Sequence, residues 1–175
     1  MGEPELELES RKKIFKVIKR YPGLNMKYIE RKTDMDLNLV KYHLRKLEKM
    51  GVVNKIDAEG YKRYYPSEYP QGERLSQEDK RILGLLRNEK PLGIVLYLLN
   101  NGGKARHKDI KEELDLPGST LSYHLKKLER KNVLKKVGRS YKIEDKEHIS
   151  HLLLEYSPPD DVVERFVDAW EDFSI

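Results

Sequence analysis

Val40-Lys41-Tyr42-His43-Leu44-Arg45-Lys46-Leu47-Glu48-Lys49 returns 81 residues later as Leu121-Ser122-Tyr123-His124-Leu125-Lys126-Lys127-Leu128-Glu129-Arg130. The agreement runs on: Met50-Gly51-Val52-Val53 answers to Lys131-Asn132-Val133-Leu134, and Tyr61-Lys62 to Tyr141-Lys142. Self-similarity at one fixed offset marks a duplicated unit, and two copies make a tandem rather than a solenoid. In each copy the apolar residues fall at spacings of four and three: Val40, Leu44 and Leu47, then Leu121, Leu125 and Leu128. That period is helical and leaves the opposite face polar.

Working outward, each copy reads as three helices followed by a hairpin. In the first, Ile14, Phe15, Val17 and Ile18 stripe a helix of about residues 9–20, which Tyr21-Pro22-Gly23 stops. Asn25 is placed to cap a short second helix carrying Met26, Tyr28 and Ile29, and Asp36 to cap the third, over 36–50. Val52-Val53 opens a strand, Asp57-Ala58-Glu59-Gly60 turns it, and Tyr61 to Tyr65 returns. The second copy follows: Ile94 to Leu99, a break at Asn100-Asn101-Gly102-Gly103, a helix over about 107–114, a turn at Leu116-Pro117-Gly118, a third helix over 118–131 and a hairpin around Gly138-Arg139-Ser140. Three short helices plus a hairpin make a winged helix-turn-helix. The predicted fold is mainly α with small β-hairpin wings: an acidic N-terminal arm (1–9), winged-helix domain 1 (10–69), a linker helix (70–90), winged-helix domain 2 (91–144) and a C-terminal helical extension (145–175).

Composition agrees with two small domains. Of the 175 residues, 37% are charged, against about 25% in an average globular chain, and 38% are hydrophobic, too few for one large core. Charge comes in blocks. Residues 1–9 carry −4, residues 10–66 carry +10, residues 67–90 balance, residues 91–143 carry +7 and residues 144–175 carry −8. Two basic blocks with acidic ends suit a polyanion partner, although solvated Lys-rich surfaces would look the same by charge alone. No Cys is present, which excludes disulfides, thiolate metal sites and Cys nucleophiles. No apolar run is long enough for a membrane, and the acidic start is unlike a signal peptide, so a cytoplasmic location is expected.

The stretch Pro117-Gly118-Ser119-Thr120-Leu121-Ser122-Tyr123-His124-Leu125-Lys126-Lys127-Leu128 resembles the recognition-helix segment of ArsR/MarR-type winged-helix transcription regulators, with Asp36 to Leu47 a looser version. Over residues 10–143 the chain resembles the tandem winged-helix regulators common in archaea. The resemblance implies sequence-specific binding of double-stranded DNA. An α-helix fits the major groove, where base edges carry a readable pattern of donors and acceptors. With the leucines inward, the outward set is Ser119, Thr120, Ser122, Tyr123, Lys126 and Lys127 in the second copy, and Asn38, Leu39, Lys41, Tyr42, Arg45 and Lys46 in the first. Asn, Ser, Arg and Lys can pair with bases; the late basic residues suit phosphates. Lys62 and Arg63 on the first wing's return strand are expected to reach the backbone. The tip Gly138-Arg139-Ser140 suits a phosphate or the minor groove, whereas the acidic tip of the first wing does not. The second domain is therefore expected to read more sequence and the first to grip.

Other chemistry finds little support. His43 and His124 read as packing residues, half-buried and hydrogen-bonded inside the motif. His148 and His151 have metal-clamp spacing, but a surface pair is commoner. ArsR-type metal sensors often use Cys pairs, which this chain lacks. No phosphate loop or catalytic triad stands out, so no enzyme activity, cofactor or metal is expected. Ser76 and Asp79 form a helix-start signature before Ile82, Leu83, Leu85 and Leu86, giving a helix over about 76–88. The tail, from Ile149 to Phe173, is apolar enough to suggest a homodimer through 145–175. The rival readings are a winged-helix protein-interaction scaffold of chromosome-organising or transcription machinery, and a replication initiator.

Overall fold

The computed structural model describes residues 3–58, 60–67 and 75–156. The chain divides after Gly84 into two compact units. Each has the same plan: helix, short strand, helix, helix, hairpin. The fold is mainly helical, with two tandem winged helix-turn-helix motifs.

In the first unit α1 (Glu3–Arg20) precedes β1 (Leu24–Asn25), α2 (Met26–Thr33), α3 (Leu37–Lys49), β2 (Val53–Ala58), β3 (Tyr61–Pro66) and α4 (Gln77–Leu86). The sequence reading started α1 near residue 9 and left 1–9 as an arm; the helix instead begins at Glu3. The cause is local: Pro4 is tolerated in a first turn, and glutamates both favour helix and complement the positive end of its dipole. Glu7 and Glu9 then pair with Arg11 and Lys12 along the helix. The core gathers Ile14, Ile18, Tyr21, Leu24, Ile29, Val40, Leu44, Leu47, Val53 and Tyr64. The two expected caps are present: Asn25 Oδ1 accepts from the Tyr28 amide at 3.0 Å and Asp36 Oδ1 from the Asn38 amide at 2.8 Å.

The sheet has three strands, ordered β1-β3-β2, where sequence had suggested a two-stranded hairpin. Leu24 pairs with Tyr64 and Asn25 with Arg63. Gly23, at φ 90°, makes the entry turn, and its amide donates to Tyr64 O at 2.8 Å. β3 is thus central, and α4 lies over its far face. The Tyr65 hydroxyl donates to Lys80 O at 2.6 Å. A Cβ on Gly84 would stand 2.7 Å from the Tyr65 hydroxyl oxygen and 3.0 Å from Arg63 Cδ, so glycine is what lets helix and strand approach. The start of α4 carries the reciprocal cap read from sequence, Ser76 amide to Asp79 Oδ2 and Asp79 amide to Ser76 Oγ, both 3.0 Å.

The second unit repeats the order with α5 (Glu89–Asn100), β4 (Lys104–Arg106), α6 (His107–Glu113), α7 (Gly118–Arg130), β5 (Leu134–Val137), β6 (Ser140–Ile143) and α8 (Lys146–Glu155). Its sheet runs β4-β6-β5. The duplication extends to special backbone positions. Asp34 and Asp115 both end the second helix of the motif with positive φ, 54° and 46°. Gly51 and Asn132 both turn the chain after the third helix, at 70° and 57°. These are residue types that tolerate the left-handed region. Among the described residues no helix is long and apolar enough to cross a membrane.

Candidate nucleic-acid interface

The third helix of each motif carries the candidate surface. On α3, Val40, His43, Leu44 and Leu47 are buried, and this fixes which face remains outside. Asn38, Leu39, Lys41, Tyr42, Arg45 and Lys46 are all exposed on it. Lys46 Nζ stands 5.4 Å from the centre of the Tyr42 ring. On α7 the buried stripe is Leu121, Leu125 and Leu128. Ser119, Tyr123 and Lys126 are exposed, while Thr120, Ser122 and Lys127 are half-buried at the margins. Lys127 Nζ lies 4.5 Å from the Tyr123 ring centre. Each helix thus offers an exposed tyrosine beside a lysine that interacts with its face.

The wings differ. In the second unit Val137 pairs with Ser140 across the two-residue tip Gly138-Arg139, with Gly138 at φ 63° and Arg139 exposed. In the first unit Lys62 is exposed on β3. Arg63 is not: it is 3% exposed, and its Nη1 donates to Gly23 O at 2.9 Å. The expectation that Arg63 reaches a nucleic-acid backbone is therefore corrected. It sits on the α4 side of a central strand, where a half-covered hairpin would have left it outside.

Of the two equivalent histidines, His43 departs from expectation. His43 is fully buried, and neither ring nitrogen has a hydrogen-bond partner among the described residues. It packs edge-on to Tyr42, with ring centres 5.1 Å apart. Burial, then the Arg11 charge, hold its pKa below the usual 6.5, with Glu7 pulling the other way. His124 is half-buried and likewise lies edge-on to Tyr123. Because the folded-state value of His43 is lowered, the stability it permits is complete above about pH 6.5 and declines as pH falls through the folded value. His43 is the only histidine before residue 107. The first unit should therefore lose thermal stability between pH 7.5 and 5.5, and His43→Leu should flatten that loss. An unchanged acid dependence in the variant would assign it to carboxylates instead.

Two neighbours of this surface carried no signal in the sequence. Glu7 of α1 accepts a hydrogen bond from the Tyr42 hydroxyl at 3.3 Å, placing a carboxylate on the exposed face of α3. His107, the first residue of α6, has Nε2 3.1 Å from Ser122 Oγ. Among the described residues no group of three His, Asp or Glu side chains is arranged to hold a metal; His151 instead faces Glu155 at 3.5 Å. In α8, Ile149, Leu152 and Leu153 are buried, while Leu154 is exposed. The remainder of the expected dimerisation segment, 157–175, lies outside the described residues.

Comparison with known proteins agrees with the two motifs. Residues 8–76 match a family of N-terminal HTH domains, and residues 92–136 match the arsR family of bacterial regulatory proteins. The chain carries two helix-turn-helix motifs in tandem, each similar to one of these families. An uncharacterized HTH-type transcriptional regulator of Methanocaldococcus jannaschii is 28% identical over 127 residues, which cover 73% of this chain. The chain spans about 30% of that relative's length. Among solved structures, the mRNA-binding domain of elongation factor SelB from E. coli, in complex with SECIS RNA, is 15% identical with a TM-score of 0.30, over 79% of this chain and 97% of that one. A superposition so loose says nothing about what this chain binds.

Proposed function

We propose that the protein is a transcriptional regulator that binds double-stranded DNA sequence-specifically, laying α3 and α7 in major grooves. The observation that carries this reading is the duplicated division of the third helix. In both units its apolar stripe is buried, while its other face keeps cationic, hydroxyl and aromatic side chains at the surface, joined in the first unit by the amide of Asn38. Those are the groups that bind phosphates and base edges. Ser119, Thr120, Ser122, Tyr123 and the exposed Asn38 and Lys41 are assigned to bases. Arg45, Lys46, Lys62, Lys126, Lys127 and Arg139 are assigned to phosphates or groove walls. The M. jannaschii relative's description as an HTH-type transcriptional regulator supports the same role.

A protein-interaction scaffold would also use the winged-helix surface, but would not need it basic in both copies. A replication initiator would share the DNA contacts. Filter binding of the full chain to duplex DNA at two salt concentrations, with and without competitor, tests the reading. Affinity should fall steeply with salt, by about 0.9 log units per log unit of salt for each phosphate neutralised. Selection from random duplexes should then yield a motif. Salt-insensitive or absent duplex binding would favour the scaffold.

A further inference from the structure

The hydrogen bond between His107 and Ser122 lies where the first residue of α6 meets the side of α7. Ser122 stands next to the exposed Tyr123 and one turn before the exposed Lys126, at the edge of the face assigned to bases. A serine hydroxyl has one hydrogen to donate and two lone pairs to accept with. Left to rotate freely, it satisfies a donor or an acceptor on a base almost equally and discriminates little. The imidazole removes that freedom. If Nε2 accepts, the hydroxyl hydrogen is used up, and a base meets lone pairs only. If Nε2 donates, a lone pair is used up, and the hydrogen remains free for a base acceptor. In either direction the rotor is held by a side chain that is itself half-buried.

The start of α6 is fixed in turn. Arg106, just before His107, donates from Nε to Asp109 Oδ2 at 2.8 Å and from Nη2 to Asp109 Oδ1 at 3.1 Å, clasping the first turn of the helix. The first unit has no counterpart. The positions equivalent to His107 and Ser122 hold Met26 and Lys41, a thioether and a cation, and Lys41 is exposed. The two copies share their backbone plan and diverge at this pair.

We propose that His107 is a positioning residue for base recognition, fixing the hydrogen-bonding role of Ser122 and so sharpening the sequence preference of the second unit. This rests on the DNA-binding reading above and names a determinant of its specificity. His107 need not touch DNA.

The test uses the full chain and four variants: His107→Ala, Ser122→Ala, the double substitution and His107→Gln. Circular dichroism and thermal melting establish that each is folded. Duplexes selected by the wild type are then titrated beside their single-base variants and an unselected duplex. Each single alanine variant should relax preference at the same base position by about five- to tenfold, the range of one hydrogen bond. The double substitution should go no further than either single one. His107→Gln, whose amide can donate or accept, should recover part of the preference. For His107→Ala and His107→Gln, affinity for the unselected duplex and the salt slope should stay at wild-type values. The proposal is overturned if His107→Ala retains the wild-type preference, if the two effects add, or if His107→Ala weakens all duplexes equally and lowers the salt slope, which would make His107 a phosphate contact. A wild-type chain without any base preference removes the sequence-reading role and this inference together. A wild-type preference that survives His107→Ala removes only the inference.

Discussion

Alanine at both Lys126 and Arg139 should weaken duplex binding by the second unit about sixty-fold at 0.1 M salt. Each phosphate neutralised contributes about 0.9 to the log–log salt slope, so at 0.1 M one contact is worth roughly eightfold and two roughly sixty. The slope itself should fall by about 1.8. The reasons are local. Lys126 is exposed on α7, one turn beyond Ser122, and Arg139 is exposed at a two-residue tip whose glycine takes positive φ. Neither is among the buried residues, so melting temperature should be unchanged. Filter binding at 0.05, 0.1 and 0.2 M salt reads both quantities. A loss of affinity with an unaltered slope would mean that the two side chains read bases and do not hold phosphates.

Arg63→Ala should act through stability. Its guanidinium is buried, donates to Gly23 O and packs beside Gly84. Removing it leaves a buried carbonyl without that donor and opens space between β3 and α4. Losing a charged hydrogen bond and creating a cavity together cost about 3 kcal/mol. For a unit of this size that lowers the melting transition by about 15 °C. The adjacent Lys62→Ala should do the reverse, leaving melting alone and reducing the salt slope by about 0.9. Calorimetry and salt titration of the two variants separate the roles. Should Arg63→Ala melt like the wild type while flattening the salt slope, the side chain would have to swing out to the nucleic acid in the complex.

These two substitutions show where sequence was and was not informative. The third helices were legible because burial of one stripe repeats every three to four residues, and glycine, proline and capping side chains punctuate both copies. Asn25, Asp36 and the Ser76–Asp79 pair cap as their spacing implies. Arg63 was misread because strand alternation assumes one wet face. β3 has β1 and β2 on its edges, a core beneath Tyr64 and α4 above Arg63 and Tyr65, so neither face is wet there. β1 and β4 were missed because strands of two and three residues are too short to alternate. Their trace lay in the glycines that directly precede them, Gly23 and Gly103, both at positive φ. The pairing of His107 with Ser122 joins residues 15 apart on different helices, and no periodic pattern encodes it.

Glu7 gives α3 and α7 unequal starting points. Tyr42 and Tyr123 both stand beside a lysine, Lys46 and Lys127, but the Glu7 carboxylate also engages the Tyr42 hydroxyl, so a duplex approaching α3 meets a negative charge and a donor in use. Under the proposed function, mutational drift in a target site would then be felt unevenly. Base changes in the half served by α7 would be purged, and those in the half served by α3 would accumulate, leaving targets that look like one firm word followed by a blurred one.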